Sequence, residues 1–349
     1  CLGAVLGLGL LGCGASDDVA PAADTSTAGG SDVAEPAADS AEPLELSADL
    51  CEDASKMEAL MGSFVGSDSD PSYGQVNAEQ VMRMLEAPTE GPFYMVNLIR
   101  YRDQAVYPDG RETTLTGREA NALYAPVEFI TAIGAKIVYV GEAERGPDDL
   151  WDDVAIVEYP CPLAFFAMAS DPEFKARSVH KDAGVETTTV MVTHLDPLEE
   201  TEPGEVPLPA TADDPARDRV RIHRYREDAQ YAEGSTEPSR TGEAAKDRYV
   251  AGIAEAERAQ GITPTLRLSV EGVFIGDGRT WDEVWIDAVP SQAALDAATS
   301  DPAVAAAQHH LDAALEERYE VFTAPLISDL PGSASGQGML PVTDDGTGT

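Results

Sequence analysis

Hydrophobic positions along this chain fall into two different patterns. In Met95-Val96-Asn97-Leu98-Ile99, Ile137-Val138-Tyr139-Val140 and Val154-Ala155-Ile156-Val157 nearly every side chain is apolar. Such blocks predict strands buried on both faces. Later blocks alternate instead. Val220, Ile222, Leu266, Leu268, Val270, Val284 and Ile286 share one face. Arg221, His223, Tyr225, Arg267, Ser269, Glu271, Trp285 and Asp287 share the other.

Helical stretches separate the strands, and the first set reads β-α-β-β-α-β. Strand 93–101 leads to a helix from Gly117 to Ile133, closed by Gly134 and kinked at Pro126. Strands 136–141 and 153–159 follow, then helix 162–170, a short helical turn at Asp171-Pro172, and strand 187–194. The second set reads as strand 219–226, helix 242–260, strands 265–275 and 282–289, helix 291–318 and strand 319–325. A helix over 78–85, capped by Asn77, precedes both.

The two sets also match residue by residue. Arg100-Tyr101-Arg102 corresponds to Arg224-Tyr225-Arg226, and Thr116-Gly117 to Thr241-Gly242. Trp151-Asp152-Asp153-Val154 corresponds to Trp281-Asp282-Glu283-Val284. Ser170-Asp171-Pro172 with His180 corresponds to Ser300-Asp301-Pro302 with His310. Kept order and spacing predict an internal duplication. Two helices cover only one face of a four-stranded sheet, so the greasy underside of the first sheet needs a lid. The second sheet is the candidate. The expected fold is α+β: two ferredoxin-like modules, 76–196 and 219–330, forming an intramolecular dimeric α+β barrel with one greasy and one polar wall.

Several blocks of the first module carry a resemblance. They are Glu90-Gly-Pro-Phe-Tyr-Met-Val-Asn-Leu98, Gly134 with Val138-Tyr-Val-Gly141, Trp151 through Pro160, Asp171-Pro-Glu-Phe174 and His180 through Glu186. Together they resemble an uncharacterised bacterial group, domains of unknown function within the dimeric α+β barrel superfamily. The resemblance implies a barrel of two modules and supplies no function, because that fold carries unrelated activities. The second module keeps Trp281-Asp282-Glu283-Val284, Asp301-Pro302 and His310 and loses the Asn-Leu and Glu-Tyr-Pro elements.

Charge and cysteines then narrow the setting. With 63 acidic against 23 basic residues, the net charge is −40, which argues against nucleic acid as a partner. Residues 1–13 are an apolar run ending in Leu10-Leu11-Gly12-Cys13, which resembles a bacterial lipobox behind a truncated signal peptide. The resemblance implies lipidation at Cys13, a membrane anchor and an envelope location, with the outer membrane preferred. Residues 14–75 read as a mostly disordered acidic tether, 197–218 as a Pro- and Glu-rich linker and 331–349 as a disordered tail. Cys51 and Cys161 remain as a disulfide candidate, worth about 4 kcal/mol by loop closure. An intramolecular pair of modules predicts a monomer.

Candidate chemistry sits on the polar face of the second module. His223 between Arg221 and a carboxylate is placed to act as a base inside the barrel, with Tyr225 beside it. Asn97, Tyr101, His180, Arg267, Asp287 and His310 are pocket candidates. No cofactor motif and no zinc spacing occurs, and the calcium-loop pattern from Asp68 to Glu79 has its Gly one position late. Three readings stay open: an envelope lipoprotein binding a small molecule or protein, a cofactor-free oxygenase or isomerase using His223, and an inactive architectural duplicate. A cavity reaching His223 favours the second, a filled barrel the third and a groove at the outer helices the first.

Overall fold

The computed structural model describes residues 45–57, 60, 71–144, 150–198 and 206–330. Cys13, the signal run, residues 14–44 of the tether, the start of the calcium-loop pattern, the middle of the linker and the tail lie outside the described residues. No described helix is long and apolar enough to cross a membrane. The strands are β1 (Gln75–Val76), β2 (Phe93–Tyr101), β3 (Lys136–Ala143), β4 (Asp153–Tyr159), β5 (Val185–Leu195), β6 (Arg217–Tyr225), β7 (Thr263–Gly276), β8 (Glu283–Val289) and β9 (Leu315–Ser328). The helices are α1 (Ala78–Glu86), α2 (Gly117–Tyr124), α3 (Val127–Ala132), α4 (Pro162–Ser170), α5 (Pro172–Gly184), α6 (Gly242–Ala259), α7 (Gln292–Thr299) and α8 (Pro302–Ala314).

Local chemistry sets these boundaries. Thr116 starts α2 with a reciprocal cap: its hydroxyl accepts from the Glu119 N–H at 3.2 Å, and Glu119 accepts from the Thr116 N–H at 2.7 Å. The helix expected over 117–133 is two helices, because Pro126 breaks it rather than kinking it. Ala125 turns the corner with φ of 28°, a strained left-handed value for a residue with a Cβ. The short turn expected at Asp171-Pro172 is a full helix of 13 residues. The single helix expected over 291–318 is likewise interrupted, and its last residues belong to β9. Asp171 and Asp301 explain both results. The Asp171 carboxylate accepts from the N–H groups of Glu173 and Phe174 and that of Asp301 from Ala303, and Pro follows at the first position of each helix.

Each half forms a four-stranded antiparallel sheet with the same order, β5-β2-β4-β3 and β9-β6-β8-β7. The halves join edge to edge through β5–β7 and β3–β9, which closes an eight-stranded antiparallel barrel. Short β1 extends the pairing of β7. Closure leaves no unpaired edge between the sheets.

The interior is apolar on both walls. Val96, Leu98, Ile156 and Met191 meet Ile222, Leu266, Leu268, Val284 and Ile286 there, all fully buried. This corrects the expected polar wall. Strand parity does split the second sheet as anticipated, but the apolar face turns inward and the charged face turns out toward its helices. Hydrocarbon against hydrocarbon is the favourable pairing, at roughly 25 cal/mol per Å² removed from water. Polar atoms enter near Gly141, where the Tyr139 hydroxyl donates to Asp218 at 3.0 Å and lies 2.6 Å from the Thr323 hydroxyl. A Cβ at Gly141 would meet Thr323 at 2.7 Å, so only glycine fits beside this group.

Cys51 and Cys161 are bridged, S–S 2.07 Å with Cα atoms 5.9 Å apart. The bond ties the segment before β1 onto the start of α4, as the cysteine count suggested.

Asp218 yields a test of the interior. Burial, with Asp287 adding to it, pushes its carboxyl up to about 6 against the Tyr139 hydrogen bond, from 3.8 in an unfolded chain. Between those values the native state holds a proton that the unfolded chain has released, so stability falls as pH rises and the penalty is complete above about pH 6. Asp218→Asn is expected to gain roughly 1–3 kcal/mol at pH 7, shrinking toward zero near pH 4. Urea melts at the two pH values measure this; equal stability of both proteins at pH 7 contradicts it.

Candidate functional site

The helix-facing sides of the two sheets share Tyr101 and Tyr225 at one end and differ through the middle. On the first sheet they carry Met95, Asn97 and Ile99 of β2, Val157 of β4 and Val190 of β5. The matching positions of the second carry Arg219, Arg221 and His223 of β6, Asp287 of β8 and Glu320 of β9. Register confirms the match: Asn97 stands between Ala155 and Val190, and Arg221 between Trp285 and Glu320.

In the second half charges fill the space under the helices. The buried Asp287 carboxylate accepts from Arg221 at 2.6 Å, Arg267 at 2.7 Å and Arg219 at 3.1 Å. Burial pushes this carboxyl up, but the three guanidiniums together overrule it and hold it well below the usual range. Arg267 and Arg221 also lie over the Trp285 ring, at 4.2 and 4.8 Å. His223 is 2% exposed, and its Nδ1–H donates to Glu283 at 2.8 Å. Burial lowers its pKa despite Glu283, so the imidazole is neutral at pH 7. Glu283 is also 3.4 Å from the Lys246 ammonium of α6, and burial and Glu283 push the Tyr225 phenol far up. What remains is a cleft of about 330 Å³, lined by Arg219, Arg221, His223 and Glu257. His223 therefore faces helices and not the barrel interior.

In the first half the same space is open. A cavity of about 900 Å³ lies between the sheet and helices α2 to α5. Met95, Asn97, Ile99 and Val157 form its floor, and Tyr124, Phe165, Met168 and Phe174 its helical walls. Phe274 and Ile275 of β7 reach in from the second half, and Tyr73 closes the side before β1. The break at Pro126 places Tyr124 and Pro126 on the wall; the matching helix α6 runs unbroken through Val250 and Ala251. Burial pushes the phenols of Tyr73, Tyr124 and Tyr159 up, so all three stay protonated. Lys181 of α5 also lines the cavity, its ammonium 5.3 Å from the Tyr73 ring and 5.6 Å from that of Tyr124. Burial lowers its pKa to about 8.

Of the residues singled out in the sequence, only Asn97 reaches this cavity, with its amide donating to the Met95 carbonyl at 3.2 Å. Tyr101 lies outside, donating to Asp153 at 2.8 Å. His180 and His310 line neither cavity. Each instead pairs through Nδ1 with a tyrosine hydroxyl at 2.8 Å, Tyr107 and Tyr231 respectively, ring edge to ring. No pattern in the sequence marks Lys181, Tyr73 or Tyr124 as a site residue, although Tyr124 recurs as Tyr249 in the second half. Lys181 belongs to the block from His180 to Glu186, but only folding shows that it faces inward.

Among the described residues one group has the donors for a metal ion: Glu237, His309 and His310, whose ligand atoms lie within 4.8 Å of one another. The His309 Nδ1–H donates to the Ala306 carbonyl at 2.8 Å, leaving Nε2 free toward Glu237. Arg240 already pairs with Glu237 at 3.0 Å and sets positive charge beside the group. Glu237 comes from a loop far along the chain, so spacing rules could not find it.

No protein-family model matches the chain, and no curated protein matches it. Among solved structures, the RPA0582 protein aligns over 100% of its own length with 38% of this chain, at 36% identity and a TM-score of 0.33. A second structure of it, described as a protein of unknown function from Rhodopseudomonas palustris, gives 34% identity over 99% of its length and 37% of this chain, TM-score 0.32. An anthrone oxidase-like protein covers 70% of this chain with 98% of its own at 13% identity, TM-score 0.39. Likeness as distant as the last carries no argument about activity.

The Asp287 network is testable on its own. Asp287→Ala leaves Arg221 and Arg267 without a paired carboxylate, Arg219 keeping Glu257, and is expected to cost roughly 3–5 kcal/mol. Chemical denaturation measures it. A loss below about 1 kcal/mol, the range of exposed pairs, would show that the network does not hold the helices to the sheet.

Proposed function

We propose, for a chain that belongs to the family of the RPA0582 protein of unknown function, that the first half binds a small, largely apolar molecule and that the second half is its scaffold. The cavity of about 900 Å³ under α2 to α5 carries this reading. Its size lies within the range of small-molecule sites, which are mostly apolar with a few placed polar groups. Here those groups are Asn97, Lys181 and the phenols of Tyr73 and Tyr124. Aromatic edges on several walls suit a ring-containing guest.

In this proposal the halves are two ferredoxin-like copies of one duplicated unit, and a lipid on Cys13 tethers the cavity to the envelope. The packed barrel by itself would favour the inactive duplicate, and the cavity under the outer helices is what favours binding over it. The alternative, a cofactor-free oxygenase or isomerase with His223 as base, draws support from its neutral imidazole and its hydrogen bond to Glu283. Its cleft is small and lined by charge, which suits an anion better than a partly apolar substrate.

The neutral probe N-phenyl-1-naphthylamine is expected to bind with one site per chain and enhanced fluorescence. Ser178→Trp, projecting from α5 into the cavity, should weaken binding at least tenfold (about 1.4 kcal/mol) without loss of the folded far-UV spectrum. His223→Ala should bind as the parent does. Unchanged binding by folded Ser178→Trp, or loss of it in folded His223→Ala, would remove the cavity from this role.

A further inference from the structure

We propose that Lys181 is a nucleophilic amine that captures an aldehyde or ketone in the cavity as a reversible imine. This rests on the reading of the cavity as a small-molecule site and names the class of compound it takes: an apolar, ring-bearing carbonyl.

The position of Lys181 is the first reason. Its counterpart in the second half is Leu311, a buried core residue. An amine therefore stands where the matched fold packs hydrocarbon. The second reason is its lack of a counter-ion in a chain with 63 acidic residues. Lys246, the buried lysine of the other half, lies 3.0 Å from Asp247 and 3.4 Å from Glu283. Among the described residues Lys181 has no such pairing, only the faces of Tyr73 and Tyr124. The adjacent Asp182 carboxylate accepts from the Ser72 N–H at 2.8 Å.

The surroundings favour the free amine. Tyr73 faces Lys181 from the segment before β1 and Tyr124 from α2, while Asp182 and Lys175 share its helix. The phenols are neutral, and burial without a paired carboxylate destabilises the ammonium, so a large share is unprotonated at mildly alkaline pH. In the reaction the Nζ lone pair adds to the carbonyl carbon, and the C=O pair moves onto oxygen, which takes a proton. A protonated phenol can supply that proton. Loss of water and of the remaining N–H proton leaves C=N, and hydrolysis reverses every step. No oxidant or reductant is consumed.

The test incubates the full chain with 2-naphthaldehyde and cyanoborohydride, which reduces an imine to a stable secondary amine, and maps adducts by peptide mass spectrometry. Lys175, exposed at the cavity rim, is the internal reference. Lys181 is expected to be labelled at least tenfold faster than Lys175, with a rate rising through about pH 8 and slowed by excess naphthalene. In Lys181→Arg, which keeps the charge, the fast adduct should vanish. N-phenyl-1-naphthylamine binding to the parent is measured in parallel. If the probe binds but Lys181 is labelled no faster than Lys175, the imine is overturned and the cavity reading stands. If the probe fails to bind and labelling is uniform, both are overturned.

Discussion

A four-stranded sheet with helices on one side has a second face that water cannot be allowed to wet when that face is apolar. This constraint governs the whole molecule. The first sheet carries apolar side chains on both faces, and the second offers one apolar face of matching width. Antiparallel pairing of β5 with β7 and β3 with β9 satisfies the backbone at all four edges while the apolar faces meet. Once the barrel closes, its interior has little freedom left. Tyr139, Asp218 and Thr323 enter it as a hydrogen-bonded group, and the raised pKa of Asp218 shows what burying even one carboxyl there costs.

Because the interior holds the halves together, the outward faces are free to differ. The second keeps its helices seated by ion pairs: Arg219 joins Asp287 on the sheet to Glu257 on α6, and Lys246 joins α6 to Glu283. Buried pairs hold only where each charge finds a partner: Asp287 and Glu257 share Arg219, while Arg221 and Arg267 set their second faces against the Trp285 ring. The first half leaves its outward face apolar and incompletely covered. Pro126 contributes by ending α2 early, so the covering helix turns aside where α6 runs straight on. One half is therefore closed by charge and the other holds space.

Much of this was legible in residues along the chain. Paired motifs such as Trp151-Asp152-Asp153-Val154 and Trp281-Asp282-Glu283-Val284 marked two equivalent units, and period-two alternation sorted Val220 and Ile222 from Arg221 and His223. Cys51 and Cys161 were paired by count alone. Alternation could not say which face turns inward, so His223 was placed in the barrel when it lies beneath α6. The block Met95 to Ile99 announces two greasy faces, and nothing within it distinguishes the face that the second sheet closes from the one left half covered.

Local physics along the chain thus determined the strands, the caps at Asp171 and Asp301, the paired motifs and the existence of an apolar seam, since each depends on neighbours within a few residues or on a kept spacing. Only the tertiary structure decided where space remains and which side chains share it. Lys181, Tyr73 and Tyr124 lie on three separate segments, and nothing in their spacing brings them together. Their meeting follows from how helices settle on a sheet. A cavity is the volume that packing fails to fill, and that is a property of all the surrounding elements at once.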